Sequence, residues 1–254
     1  MSTDVPVAGA APGSAVPLAE DPLARAVATG TAVAAGPAVV LAGAKSPAAV
    51  SPPYWDEAVG QLCRVDPVMA AIVARLPAEQ MTPRGDPFVA LARAIVGQQI
   101  SVRAAQTIWR RLEKSARDVT PLRLSRMRLA TLAAAGLSQR KAEYVRDLAV
   151  HFVQGRIHPD RWPLMDDEAV IEELVAVRGI GRWTAEMFLI FNLMRPDVLP
   201  LAVVGVLAAI GRHYNGGVRP TRAQAEEIGT RWQPWRSVAS WYLWRSLDPL
   251  PLET

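Results

Sequence analysis

The stretch from Leu174 to Ala185 reads Leu-Val-Ala-Val-Arg-Gly-Ile-Gly-Arg-Trp-Thr-Ala, and its residue types suit the capture of an anion by backbone groups. Apolar residues at helical spacing run up to Gly179, Ile180 and Gly181, and the helical pattern resumes beyond them, so two helices meet at a tight turn. The glycines admit positive φ and close approach of a ligand, while Ile180 can fill the space between the helices. The second helix opens with amides that have no intrahelical acceptor, a backbone means of holding phosphate without reading bases. Arg182 and Thr184 stand where they can add contacts. A plain helix C-cap and turn would use the same glycines; the Trp-Thr-Ala that follows favours phosphate.

Gln98 and Gln99 fall between the end of an apolar helix and Ser101, which suits the N-cap of the next, so they belong to a solvent-facing loop. Arg140 and Lys141 fit a phosphate contact and a solvated helix face equally well. Thiol and metal chemistry are poorly supplied. The single cysteine, Cys63, can form neither an intrachain disulfide nor an iron-sulfur cluster, and three histidines leave little for a structural zinc. A formal charge of +4 permits a polyanionic partner without demanding one, and the positive balance lies beyond residue 53.

The elements that must position these residues are helical. Residues 1–53, rich in Ala, Val, Pro and Gly, read as a disordered tail, and the fold starts near Tyr54. The uncharged run from Ala26 to Ala44 is too poor in large aliphatic residues for a membrane span and lacks the basic opening of a signal peptide, which predicts a cytoplasmic protein. Asp86 and Pro87 make an N-cap and first turn for a helix with Phe88, Leu91, Ala92 and Ile95 on one face. Beyond Ser101 the expected buried face is Ala104, Ala105, Ile108 and Leu112. Further stripes are Ala142, Val145, Ala149 and Phe152, then Val170, Ile171, Leu174 and Val177 behind Asp166, Asp167 and Glu168, and a late helix carries Val238, Trp241 and Tyr242. No alternating pattern is paired with hairpin turn signals, so the expected fold is all-α over residues 54–254.

The hairpin resembles that of the bacterial 3-methyladenine DNA glycosylase II family, within the helix-hairpin-helix glycosylase superfamily. Three other segments match in order: Ile95 to Ala105, Gly136 to Leu148 with its Gly-Leu-Ser-x-x-Lys-Ala-x-Tyr-Val-Arg-x-Leu pattern, and Trp235 to Arg245. The resemblance covers about Tyr54 to Asp248. It implies a two-lobed helical fold with a cleft between the lobes, a monomer whose partner is double-stranded DNA with alkylated bases, and no organic cofactor. Hairpin carbonyls of such relatives hold a monovalent cation, the one inorganic ligand the resemblance leaves open. It further implies that Gln98 and Gln99 fill the gap left by a flipped nucleotide, and that Trp183, Met187 and Trp244 line the base pocket. An electron-rich ring there favours a cationic alkylated purine over a normal base. Core packing is the competing role for these aromatics.

The resembled family has a lysine after the hairpin in members that also cut the strand, and Trp183 stands there, so Schiff-base chemistry is not expected. Its catalytic aspartate falls at Val203, in the stretch Arg195-Pro196-Asp197-Val198-Leu199-Pro200-Leu201-Ala202-Val203-Val204-Gly205. Valine cannot carry charge or orient water. Asp197 lies too early in this register and Glu186 on another helix, so neither is an obvious replacement. Two functions stay open: a monofunctional alkylbase glycosylase of base-excision repair, active or attenuated, and a non-catalytic binder of damaged DNA. A helical protein-interaction domain is a weaker third, and it predicts no salt-dependent affinity for duplex DNA.

Overall fold

A computed structural model of the chain describes residues 51–76 and 80–247. All but the last three residues of the expected tail therefore lie outside the described residues. Among the described residues there is no strand, as the apolar periodicity requires. Twelve α-helices follow in order: α1 (Trp55–Val65), α2 (Pro67–Ala74), α3 (Pro87–Gly97), α4 (Val102–Ala116), α5 (Pro121–Arg126), α6 (Leu129–Ala134), α7 (Gln139–Val153), α8 (Asp167–Val175), α9 (Arg182–Phe191), α10 (Val204–Tyr214), α11 (Arg222–Thr230) and α12 (Arg236–Arg245).

Side-chain caps fix many of these starts. The Asp86 carboxylate accepts from the Val89 amide with Pro87 at the first helical position, Ser101 Oγ accepts from Ala104, and Asp166 accepts from Ala169. Thr221 and Gln224 form a reciprocal capping box at α11.

The helices pack into two lobes. The first is built from both ends of the described chain, with α12 against α1, α2 and α10. The second is the continuous run from α3 to α9, in which α7 packs on α3, α5 and α6, and α8 pairs with α9. This is the two-lobed all-helical arrangement expected. Helix α12 is buried from Ser237 through Arg245, so it is the central post of its lobe rather than an amphipathic edge with one stripe. Trp55 packs edge-on to Trp241 and tilted against Tyr242 there, pairs that add about 0.5–1.5 kcal/mol each beyond area burial.

Asp66 knots this lobe together. Its Oδ1 accepts the Val68 and Met69 amides as the cap of α2, and its Oδ2 accepts the Tyr214 hydroxyl and the Trp232 indole N–H, both at 2.9 Å. A buried carboxylate is tolerable when its lone pairs are filled in this way.

The buried face of α4 differs from expectation. Trp109, Leu112 and Ala116 are buried, whereas Ala104, Ala105 and Ile108 are only partly covered, because the first half of α4 stands beside the exposed loop at Gln99 and Ser101.

Candidate functional site

Helix α8 ends at Val175 and the chain turns through residues 176–181 into α9. Ile180 is 3% exposed, plugging the turn as its sequence position suggests, and its amide donates to Val177 O at 3.1 Å. The two glycines have separate reasons to be glycine. Gly179 has φ +88°, and a Cβ added to it would lie 2.2 Å from the Tyr144 ring. Gly181 has φ −94° and is the exposed N-cap of α9; a Cβ there would meet nothing within 4 Å. The protein itself therefore requires Gly179 but places no demand on Gly181. Since no side chain caps α9, the first-turn amides of Arg182, Trp183 and Thr184 lack intrahelical acceptors beside that open position.

Charged groups frame the turn. The Arg178 amide donates to Asp147 Oδ2 at 2.9 Å, and its exposed guanidinium reaches Glu143 at 3.2 Å. Leu129, Glu143, Arg146, Asp147, Val150 and Arg178 line a shallow polar groove alongside. The Arg182 guanidinium is bound to both oxygens of Glu168, at 2.8 and 2.5 Å, and to Glu186 Oε1 at 3.0 Å. A phosphate at Arg182 would have to compete with these carboxylates. The hydrogen bonds to Arg182 hold Glu168 below the usual carboxylate range.

Glu186 is a buried carboxyl of α9 whose Oε2 has no hydrogen-bond partner among the described residues. Burial raises its pKa, with Arg182 opposing. A carboxyl whose folded pKa is raised costs stability once it ionises, a cost present above the folded pKa and absent below the unfolded one. Glu186→Gln is therefore expected to be more stable than the parent at neutral and higher pH. The difference should vanish in acid, below the ordinary glutamate range; urea denaturation at several pH values would measure it. A constant difference across pH would show that Glu186 ionises freely.

The loop after α3 meets the hairpin directly. Gln98 Nε2 donates to Gly179 O at 2.8 Å, and Lys141 Nζ, from α7, donates to Val96 O at 2.8 Å and Gln98 O at 2.5 Å. Gln99 is exposed in a left-handed conformation at φ +58°, followed by the Ser101 cap. Gln98, Lys141 and the hairpin thus form one group. Neither the side chain of Gln98 nor the ammonium of Lys141 is idle.

Val203, Gly205 and Trp244 form a second group. Val203 is the N-cap of α10, 4% exposed, with extended backbone at φ −81° and ψ 108° and no side-chain cap hydrogen bond. Trp244, 8% exposed, packs on α10 so closely that a Cβ at Gly205 would lie 3.1 Å from its Cδ1. The loop leading to Val203 is clamped to α12: Arg236 Nε donates to Asp197 Oδ1 at 2.6 Å and its Nη2 to Oδ2 at 3.0 Å, the Val198 amide donates to Ser237 Oγ, and the Ser237 amide to Pro196 O. The Asp197 carboxylate is thereby committed to the clamp. Thr184 and Met187 are buried on α9, Met187 at 1%, while Trp183 is partly buried against the core.

Tyr144, Asp147 and the Asp197–Arg236 clamp were not singled out by sequence reasoning. Their partners lie 31 to 39 positions away, so no local pattern signals them. Among the described residues no group of three or more His, Cys, Asp or Glu is placed to hold a metal, and no helix is long and apolar enough to cross a membrane.

Comparison with known proteins places this geometry. The family model described as HhH-GPD superfamily base excision DNA repair protein matches residues 92–234, which span the Gln98 loop, the hairpin and Val203. YfjP of Bacillus subtilis (strain 168) is 39% identical over 111 residues, 44% of this chain but only 39% of that protein's length. A crystal structure of DNA-3-methyladenine glycosidase from Bacillus halodurans superposes with a TM-score of 0.69 at 32% identity, covering 79% of this chain and 92% of that one. The Schizosaccharomyces pombe 3-methyladenine DNA glycosylase Mag1, solved in complex with abasic DNA, gives 0.64 at 29%, covering 74% and 95%. With its glycine hairpin, loop and helix N-cap all inside the matched span, the chain belongs to the HhH-GPD superfamily of base excision DNA repair proteins.

Proposed function

We propose that the chain is a monofunctional DNA glycosylase acting on cationic alkylated purines such as 3-methyladenine, with hydrolysis slowed by Val203. The observation that carries this reading is the N-terminus of α9, where uncapped amides stand beside a glycine that nothing inside the protein requires. A DNA phosphate can approach such a backbone where any Cβ would obstruct it. The names of the similar structures support the substrate class, and one of them holds abasic DNA.

In this reading Gly179, Ile180 and Gly181 anchor the strand, Arg182 and Thr184 support it, Gln98, Gln99 and Ser101 face the opened stack, and Trp183, Met187 and Trp244 bound the base. A cationic purine is already a good leaving group, so flipping and an aromatic environment leave residual rate without a carboxylate. Trp183 offers no amine, so the product is an abasic site with the strand intact.

Base release from methylated duplex DNA, together with binding to an abasic-site duplex, tests the proposal. Measurable release without strand cleavage is expected. Tight binding with no release at any enzyme concentration would favour the second reading, a damaged-DNA binder, which Val203 specifically motivates. Gly181→Val is expected to weaken abasic-DNA affinity by about tenfold or more, about 1.4 kcal/mol or above, while the melting temperature stays unchanged. Unaltered affinity would remove the hairpin from the interface.

A further inference from the structure

We propose that Lys141 is a positioning residue: through Gln98 it locks the loop at Gln99 to the glycine hairpin, so that both meet DNA as one body. The inference rests on the DNA-binding reading above and deepens it.

Helix α7 supplies the frame. Its N-cap, Ser138, accepts from the Lys141 amide, which fixes the backbone at that position. From there the Lys141 ammonium reaches the carbonyls of Val96 and Gln98, at the C-terminal end of α3. Those carbonyls are left without intrahelical donors and carry the negative end of the helix dipole, so a cation there is favourable. Burial lowers the Lys141 pKa, in keeping with an ammonium held against protein rather than spread in solvent. One turn further along α7, the Tyr144 ring lies against Gly179. Gln98 closes the triangle by donating from Nε2 to Gly179 O at 2.8 Å.

The consequence falls on Gln99, the exposed residue at the loop tip. Its left-handed backbone, φ +58°, costs of order 1–3 kcal/mol and persists only where the surroundings enforce it. Lys141 and Gln98 supply that enforcement. Two elements that must engage DNA together are thus tied in register by one ammonium and one amide, beside the packing of α7 on α3 and of Tyr144 on Gly179. Pre-ordering of this kind raises affinity by reducing what must be immobilised on binding.

A lysine that touched phosphate would behave differently, and the salt dependence separates the roles. Full-length chain, Lys141→Met, Gln98→Leu and the double variant are titrated with an abasic-site duplex and an undamaged duplex between 50 and 200 mM salt. A 2-aminopurine beside the abasic site reports unstacking by the loop. Each single variant is expected to lose about tenfold in abasic-DNA affinity and most of the 2-aminopurine signal. Undamaged-duplex affinity should fall less than abasic-site affinity, the double variant should be no weaker than either single one, and the salt slope should be unchanged. A slope reduced by about one for Lys141→Met, or additive losses in the double variant, would make Lys141 a direct phosphate ligand and overturn the proposal. So would full-strength binding and signal in Gln98→Leu, a variant that leaves Lys141 and its carbonyl contacts in place and serves also if Lys141→Met does not fold. Failure of the parent chain to bind either duplex would instead defeat the DNA reading itself.

Discussion

Replacing Val203 with aspartate is expected to raise the rate of 3-methyladenine release by roughly a hundred- to a thousandfold, the scale on which loss of one electrostatic stabiliser is usually felt. The backbone is prepared for the change. Residue 203 already has the extended N-cap conformation of α10, and no side chain caps that helix. A carboxylate at this position can accept from the amides of Gly205 or Val206, a cap worth typically about 1 kcal/mol, which offsets part of the cost of burying it. Those amide hydrogen bonds and the helix N-terminus also favour the ionised form that an oxocarbenium-like sugar requires. The gain should be larger for a neutral lesion, because its leaving group needs more assistance. Single-turnover release from the same methylated duplex, parent against variant at matched concentration, measures the effect. Equal rates would show that the catalytic carboxylate of this chain lies elsewhere, and two alternatives are already occupied: Asp197 is bound by Arg236, and Glu186 by Arg182.

Gly179→Ala is expected to destabilise the fold by roughly 2–5 kcal/mol, the sum of a left-handed backbone penalty and overpacking. The added methyl would sit 2.2 Å from the Tyr144 ring, and a ring cannot fold away as the end of a lysine can. Arg178 lies over that same ring at 5.8 Å, which restricts its escape further. Gly181→Ala is the control, since its Cβ enters open space at ordinary φ, and it should stay within about 0.5 kcal/mol. Urea midpoints of the two variants settle the comparison. If Gly179→Ala lost less than about 1 kcal/mol, the packing of Tyr144 against the hairpin would be wrong.

These two glycines show what could be read from the sequence and what could not. Their presence around Ile180 announced the turn, the buried plug and the open N-terminus of the second helix. Which glycine the protein's own packing requires and which it does not depends on Tyr144, 35 positions before Gly179, and no spacing rule connects them. The caps at Asp86 and Ser101 were legible because a cap is a local event, complete within four residues, and the start of α8 was legible through the charge of Asp166, Asp167 and Glu168. The burial of α12 on every side was not, since its stripe of Val238, Trp241 and Tyr242 fits an edge helix as well as a central one. Arg182 and Lys141 carry the charge expected of phosphate ligands, yet their hydrogen bonds in the folded chain go to Glu168 and Glu186 and to the end of α3.

The first lobe draws α1 and α2 from one end of the described chain and α10 to α12 from the other, so the hairpin lobe is an insertion reached by two crossings. One lies between α2 and α3, the other between α9 and α10. Asn192 Nδ2 on the second donates to Gly85 O on the first at 3.1 Å, and the Tyr54 hydroxyl, just ahead of α1, donates to Met194 O on the second at 2.6 Å. The second crossing is thus held both to the first and to the start of α1. That crossing ends at Val203 and is held to the hairpin lobe through Arg195 and to the first lobe through Asp197, so residue 203 is braced from both sides.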